Sequence, residues 1–314
     1  MKSITPFLIV FFFPLILCSQ SNLLKKYNIN NKQFKFYSKL NENEKRLIEF
    51  KDEDEHLILK IALLNLINKH REKHRRKPIE LDIHACRSAN KTAQMSAKNE
   101  YCGHWDLEGK KPYHRYGLDG GEDHISENAS ATWSSAKIDM SLDNMYKMMK
   151  ESHNSMYKEK PPNDGHRQNI LESNHNFVGL GIGNSKKYFS YYEEFIDRYL
   201  LINDLKIKGK NVFLKFKVPA NYFLVGINIS YDLPFKPMSP RKINSKNSYL
   251  DQGKKSEIVW DDDVIFKNGV HSYSFKMSKK EIAYIQVLIS KNKPKTNRKT
   301  TKKSFSVTGH IVLK

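Results

Sequence analysis

Four alanines, Ala85, Ala89, Ala93 and Ala97, stand four residues apart in the run IHACRSANKTAQMSAKN, residues 83–99. A spacing of four stacks them on one face of a helix. Side chains this small let another element pack closely on that face. Two more helices belong with it. In EHLILKIALLNLINKHREKH, 55–74, Leu57, Ile61, Leu64 and Ile67 recur at helical spacing, and Pro78 ends the segment. A third helix over 142–157 carries Leu142, Met145, Met149, His153 and Met156 on one side. Between the second and third lies 101–135, with glycines and little periodicity. Such stretches inside a compact domain are functional or disordered. FVGLGIG, 177–183, and KYFSYYEEFID, 187–197, read as strands, and the short NSK gap between them predicts an antiparallel hairpin.

After residue 205 the character changes. VFLKFKVP, YFLVGINISYD, HSYSFKM, IAYIQVLIS and SFSVTGHIVL are all strand-like, and no helix of comparable strength joins them. This predicts a smaller, sandwich-like all-β module over 205–314, and an α+β chain overall. Charge divides at the same place. The 314 residues carry a net +20, and 201–314 hold 23 Lys and Arg against 8 Asp and Glu. The run 291–303 contains Lys291, Lys293, Lys295, Arg298, Lys299, Lys302 and Lys303 and no acid. It is either a solvated loop or a patch for anionic glycans or membrane surfaces. No specific nucleic-acid binding is expected.

The first residues read as an export signal over 1–21. Lys2 supplies the positive start, FLIVFFFPLIL (7–17) the apolar stretch and SQS (19–21) the small residues of a cleavage site. The apolar stretch is interrupted by Pro14 and is too short to span a bilayer. The mature chain is therefore expected to be secreted and extracellular. Residues 22–54, rich in Asn and Lys, read as a polar linker. Export permits disulfides, but Cys86 and Cys102 lie about 20 Å apart along a helix. A disulfide needs Cα atoms within roughly 7 Å, so two free thiols are expected, Cys86 buried and Cys102 partly exposed.

Five segments in order over 55–198 resemble the CAP superfamily (SCP/TAPS). That superfamily includes cysteine-rich secretory proteins, pathogenesis-related proteins and venom allergens. The segments are LINKHREKHRRKPIELD, ACRSANKTAQMSAKNEYCGHW, ISENAS, DGHRQNILE and FVGLGIG with its aromatic strand. Their style is closest to the bacterial branch, and the resemblance does not reach the C-terminal module. It implies an α-β-α sandwich over 55–200 with a central cleft. In the family, two histidines and two acids face that cleft and can hold a divalent cation, often zinc.

Carried over by motif, these are His104, His166, Glu127 and, as the fourth, Glu151. Glu122 rivals Glu127, whose box has Ser126 where the family has glycine; Asn128, directly after, favours Glu127. Ser152 rivals Glu151, because Glu151 lies roughly 200° around the helix from Met149. Two neutral imidazoles plus water suit zinc, with carboxylates nearby to orient them. Such an open site implies modest affinity that falls as the histidines protonate below about 6.5. His114, His124, His153 and His175 match no cleft motif and read as surface or packing residues. Of the three glycosylation sequons, at Asn90, Asn128 and Asn228, that of Asn128 lies in the box, and Asn90, on a helix face, is the expected acceptor.

A fold of this kind does not name an activity. Family members have been associated with lipid or sterol binding, glycan binding, ion-channel modulation, defence and proteolysis. Three readings follow. The preferred one is a non-enzymatic secreted binding protein, with a divalent-metal cleft, a lipid ligand as one option there, and a basic β module for anionic surfaces. A hydrolase using His and Glu with metal-bound water or a nearby Ser is the second. The chain has no GxSxG or HExxH, and Cys102, two residues before His104, is the one suggestive thiol. The third is a structural or adhesive protein with a vestigial site. No catalytic residue is assigned.

Overall fold

The computed structural model describes residues 20–246, 248–249, 255–277, 282–294 and 305–312. The expected export signal falls almost entirely outside these residues. The segment 22–54 is not a linker. Residues 20–26 form helix α1, and Asn31–Asn43 form α2, capped by the Asn30 side chain. Leu24, Ile29, Phe34 and Tyr37 are buried in the main core. Buried polar side chains tie the rest down. Arg87 donates to the backbone carbonyls of Asn41, Glu44 and Arg46, and Lys60 pairs with Asp52 at 2.7 Å. A composition rich in Asn and Lys concealed this because the anchors lie in later helices.

The three long helices form where periodicity predicts them: α3 (Asp54–Lys73), α4 (Ile83–Asn99) and α6 (Leu142–Tyr157). Asp82 caps α4 by accepting from Ala85 N. Strands β1 (Glu80–Leu81), β2 (His124–Trp133), β3 (Phe177–Asn184) and β4 (Tyr188–Asp197) make a sheet of order β1-β3-β4-β2, antiparallel apart from the β1–β3 pair. The alanine stripe meets this sheet. Gly179, Gly181 and Gly183 of β3 lie directly against Ala85, Ala89 and Ala93, and a methyl group on any of these glycines would overlap the α4 backbone. The other face of β3, with Val178, Leu180 and Ile182, joins the core built with α3 and α6. Helices on both faces make an α-β-α sandwich. The stretch 101–135 is largely ordered, holding a short helix α5 (Pro112–Leu118) as well as β2. One further short helix, α7 (Gly165–Leu171), follows α6.

Seven strand segments follow before the last pair: β5 (Ile202–Lys208), β6 (Asn211–Lys217), β7 (Phe223–Asp232), β8 (Lys255–Trp260), β9 (Ile265–Lys267), β10 (Val270–Lys276) and β11 (Ile282–Ser290). Then come β12 (Phe305–Ser306) and β13 (His310–Val312). One sheet has the order β5-β6-β10-β9; the other has β12-β11-β7-β8, with β13 also on β11. Val212, Leu214 and Phe216 of the first share a core with Ile227, Ile229, Ile285 and Val287 of the second, so the module is a sandwich. Its polar and short strands β5, β8 and β9 carry too weak an apolar pattern to be read from sequence.

The sandwich is docked on the first domain through buried polar contacts. Asp232 accepts from Lys111, Tyr113 and His114. Burial opposes ionisation of Asp232, but His114 and Lys111 more than offset this and hold its carboxyl below the ordinary value. Tyr113 stacks on Tyr284 with ring centroids 4.2 Å apart.

Candidate functional site

Alternation along β2 places consecutive side chains on opposite faces of the sheet. Glu127 points to the α4 and α5 side, and Asn128 to the α6 and α7 side. Because β2 is an edge strand, groups from both layers can meet around its rim. His104 comes from the loop after α4, and His166 from the first turn of α7. Their ring centroids are 6.2 Å apart. They are 62 residues apart in sequence, and only the fold joins them.

Each ring is held at Nδ1 by a carboxylate. His104 Nδ1–H donates to Glu127 Oε1 at 3.0 Å, and His166 Nδ1–H donates to Glu159 Oε1 at 2.6 Å. A carboxylate accepts only, so each Nδ1 carries a proton, and in the neutral ring Nε2 is then the nitrogen with the lone pair. The second carboxylate oxygen of Glu127 is paired with Arg115, which also donates to His104 O at 2.6 Å. Burial of Arg115 opposes its charge, but Glu127 and Asp106 outweigh that and raise its pKa. Asn128 donates to the His166 backbone carbonyl and to Glu193 Oε2. Asn169, three residues after His166, donates to Asn128 Oδ1.

The carried-over set therefore divides. His104, His166 and Glu127 come together. Glu127 stands behind His104 as its orienting acceptor, with both oxygens engaged. Glu151 does not join them. It lies on the exposed face of α6, 65% exposed, beside Lys147 at 4.0 Å. Ser152 takes the inward position and is bonded to Ser130 of β2, because the apolar stripe of α6 sets which side faces the sheet. Glu122 sits apart from the pair, with its carbonyl accepting from Thr308 and Gly309. Glu159, Arg115 and Asn169 are the participants that sequence reasoning missed. The one usable signal was that a histidine with a free Nε2 needs an acceptor at Nδ1.

Two imidazoles that share one zinc have ring centroids roughly 5–6 Å apart, given a Zn–N bond of about 2 Å. The observed pair, at 6.2 Å, lies just beyond that range, so a small inward shift of either ring would bring it to shared-metal distance, and two oriented imidazoles are a donor set that zinc accepts. Among the described residues no three His, Cys, Asp or Glu side chains gather around one such point. The protein would thus supply two ligands and leave the other positions open.

The remaining candidates have structural partners. His114 bonds Asp232, His124 bonds Tyr284, His153 bonds Glu193 and His175 bonds Asp197. Cys86 and Cys102 are free thiols. Burial pushes the Cys102 thiol up to about 11, with the Glu127 charge adding to it, so its nucleophilic thiolate is scarce at neutral pH. Asn90, the expected glycan acceptor, is buried and bonds Lys60, Phe50 and Asp52, which leaves no room for a sugar.

In the run 291–303, Lys291 and Lys293 are exposed, and Lys291 lies over the Tyr222 ring. Lys295, Arg298, Lys299, Lys302 and Lys303 lie outside the described residues. A second basic surface was not anticipated. Cross-strand register puts Lys206, Lys208, Lys215, Lys217, Lys267 and Lys276 on the outer face of the β5-β6-β10-β9 sheet, all exposed. Exposed Ile202, Phe213 and Ile265 stand among them, with Asp204 the acid of the face. No helix among the described residues is long and apolar enough to cross a membrane.

Residues 64–195 match the family model of CAP, the cysteine-rich secretory protein family. No curated protein matches the chain. Among solved structures, an outer surface protein from Borrelia burgdorferi aligns at 16% identity with a TM-score of 0.35, over 45% of this chain and 92% of its own. An extracellular protein containing an SCP domain, from Bacillus anthracis str. Ames, aligns at 21% identity with a TM-score of 0.32, over 43% of this chain and 39% of its own.

Proposed function

We propose that this chain, whose residues 64–195 match the family model of the cysteine-rich secretory proteins, is a secreted binding protein. In this reading the cleft presents a divalent cation, zinc or another, on His104 and His166, and the basic sandwich attaches the protein to an anionic surface, glycan or lipid. The observation that carries the reading is the outer lysine face. Six lysines share one sheet face, where Lys206 pairs with Asp204 at 3.1 Å; the excess positive charge is self-repelling, and a polyanion relieves that repulsion. Exposed Phe213 and Ile265 add apolar contact to the same face. Hydrolysis is the weaker reading, because the thiol beside His104 is held protonated by burial.

The test is retention of the full mature chain on heparin and on vesicles containing anionic lipid. Each lysine near an anionic bilayer contributes about 1 kcal/mol. The combined variant Lys206→Glu, Lys215→Glu, Lys217→Glu should therefore bind at least about tenfold more weakly. Heparin and vesicle binding equal to that of the unaltered protein would sink the proposal.

A further inference from the structure

After β7 the chain crosses back over the first domain. Residues 233–246, which include a short helix α8 (Pro240–Asn244), together with Ser248 and Tyr249, lie along the loop that carries His104. Met238 N donates to Leu107 O at 2.8 Å, and Cys102 N donates to Asn244 Oδ1 at 2.8 Å. Trp105 Nε1 donates to Ser248 O at 3.2 Å. Ile243 is buried among Tyr101 and Trp105. Gly109 has φ +82°, and a side chain there would run into the Lys236 carbonyl. The loop 101–111 is thus shaped by a strap from the other module.

At the end of the strap stands Tyr249. Its ring centroid is 4.8 Å from that of His104, at 58°. Its hydroxyl oxygen accepts from Glu127 N at 3.0 Å. That N–H lies on an edge strand, where an outward amide needs a partner from outside the sheet. Tyr249 therefore touches both the ring that would bind a cation and the backbone of the residue that orients that ring.

We propose that Tyr249 is a positioning residue of the cleft, supplied by the C-terminal module: it backs the His104 ring, anchors β2 at Glu127, and makes the docked module part of the site. Partners that orient a metal-binding histidine typically change affinity by about ten- to a hundredfold when removed. The coupling also gives the two modules a physical link, since whatever loosens the strap loosens His104.

The experiment uses the full chain with Tyr249→Ala and Tyr249→Phe. Its first readout is Co²⁺ binding by visible absorption and calorimetry. This arm rests on the cation reading of the cleft. Tyr249→Ala should lose about tenfold in affinity, and Tyr249→Phe, which keeps the ring, should recover most of it. The second readout needs no cation: the ring ¹⁵N–¹H NMR signals of His104 and His166 in metal-free protein. In Tyr249→Ala the His104 signals should shift or broaden while those of His166 stay in place. If the unaltered protein takes up no Co²⁺, the cation reading falls, and the NMR arm decides the role of Tyr249 alone. His104 signals that stay in place in both variants, or Co²⁺ binding unchanged in Tyr249→Ala, would overturn the proposal. Tyr249→Phe keeps the test open should the alanine variant fail to fold.

Discussion

The two histidines of the cleft are held by the same chemistry in different surroundings. His104 is 13% exposed, and its carboxylate, Glu127, is fully buried and shared with Arg115. His166 is 33% exposed, and its carboxylate, Glu159, is 25% exposed and lies only seven residues away. One ring is fixed by groups gathered from β2, α5 and the strap; the other is held by an acid in the loop that leads into its own helix. The difference separates architecture from adjustment. The His104 half is part of the core, whereas the His166 half is a surface arrangement whose loss the fold should tolerate.

Removing the buried carboxylate should break the comparison most sharply. Glu127→Ala leaves Arg115 as an uncompensated buried charge, and such losses cost about 3–5 kcal/mol. Denaturant unfolding should show a drop of about 3 kcal/mol, because Arg115 keeps its bonds to His104 O and Thr92. A change below about 1 kcal/mol would mean that the pair is not a structural element.

Acid should act on the network behind the other face of β2. There Asn128 reaches Glu193, which bonds His153, which in turn meets His70 at 3.0 Å. Burial, then the neighbouring His153 and Lys73, pull the His70 pKa down to about 4. The unfolded chain takes up that proton near 6.5 and the folded one does not. Stability from His70 is therefore fully present above about pH 6.5 and is lost as pH falls toward 4. Unfolding measured at pH 7 and pH 5 should show this loss, and His70→Gln should flatten it. An equal slope in the variant would assign the acid sensitivity to other groups.

The smallest effect is expected at Glu159. An ion pair this exposed contributes about 0–1 kcal/mol, so Glu159→Gln should leave the unfolding midpoint nearly unchanged. Under the proposed cation reading it should nonetheless weaken Co²⁺ uptake, because His166 loses its charged acceptor. A large loss of stability would show the His166 half to be as architectural as the His104 half.

Much of the fold was legible in the sequence because its signals are local. The three long helices and the β3–β4 hairpin follow from periodicity within single segments. The alanine stripe announced a close neighbour, although the glycines that fill the role lie some ninety residues later. The order of the cleft motifs brought His104, His166 and Glu127 into one hypothesis. At the fourth position the motif spacing pointed to Glu151 and the apolar stripe of the helix to Ser152; Ser152 faces the sheet and Glu151 faces outward.

Residue order alone was enough to indicate a helical-and-strand domain that resembles the cysteine-rich secretory proteins, followed by a basic β module. Periodicity, motif order and charge are all written in neighbouring residues. Folding in three dimensions settled which carboxylate serves which histidine, that residues 22–54 are part of the core, and that Tyr249 reaches the cleft from the other module. Those are contacts between residues up to about 145 positions apart. Their closure is fixed by packing and by the need to satisfy buried polar groups, and no local pattern encodes either.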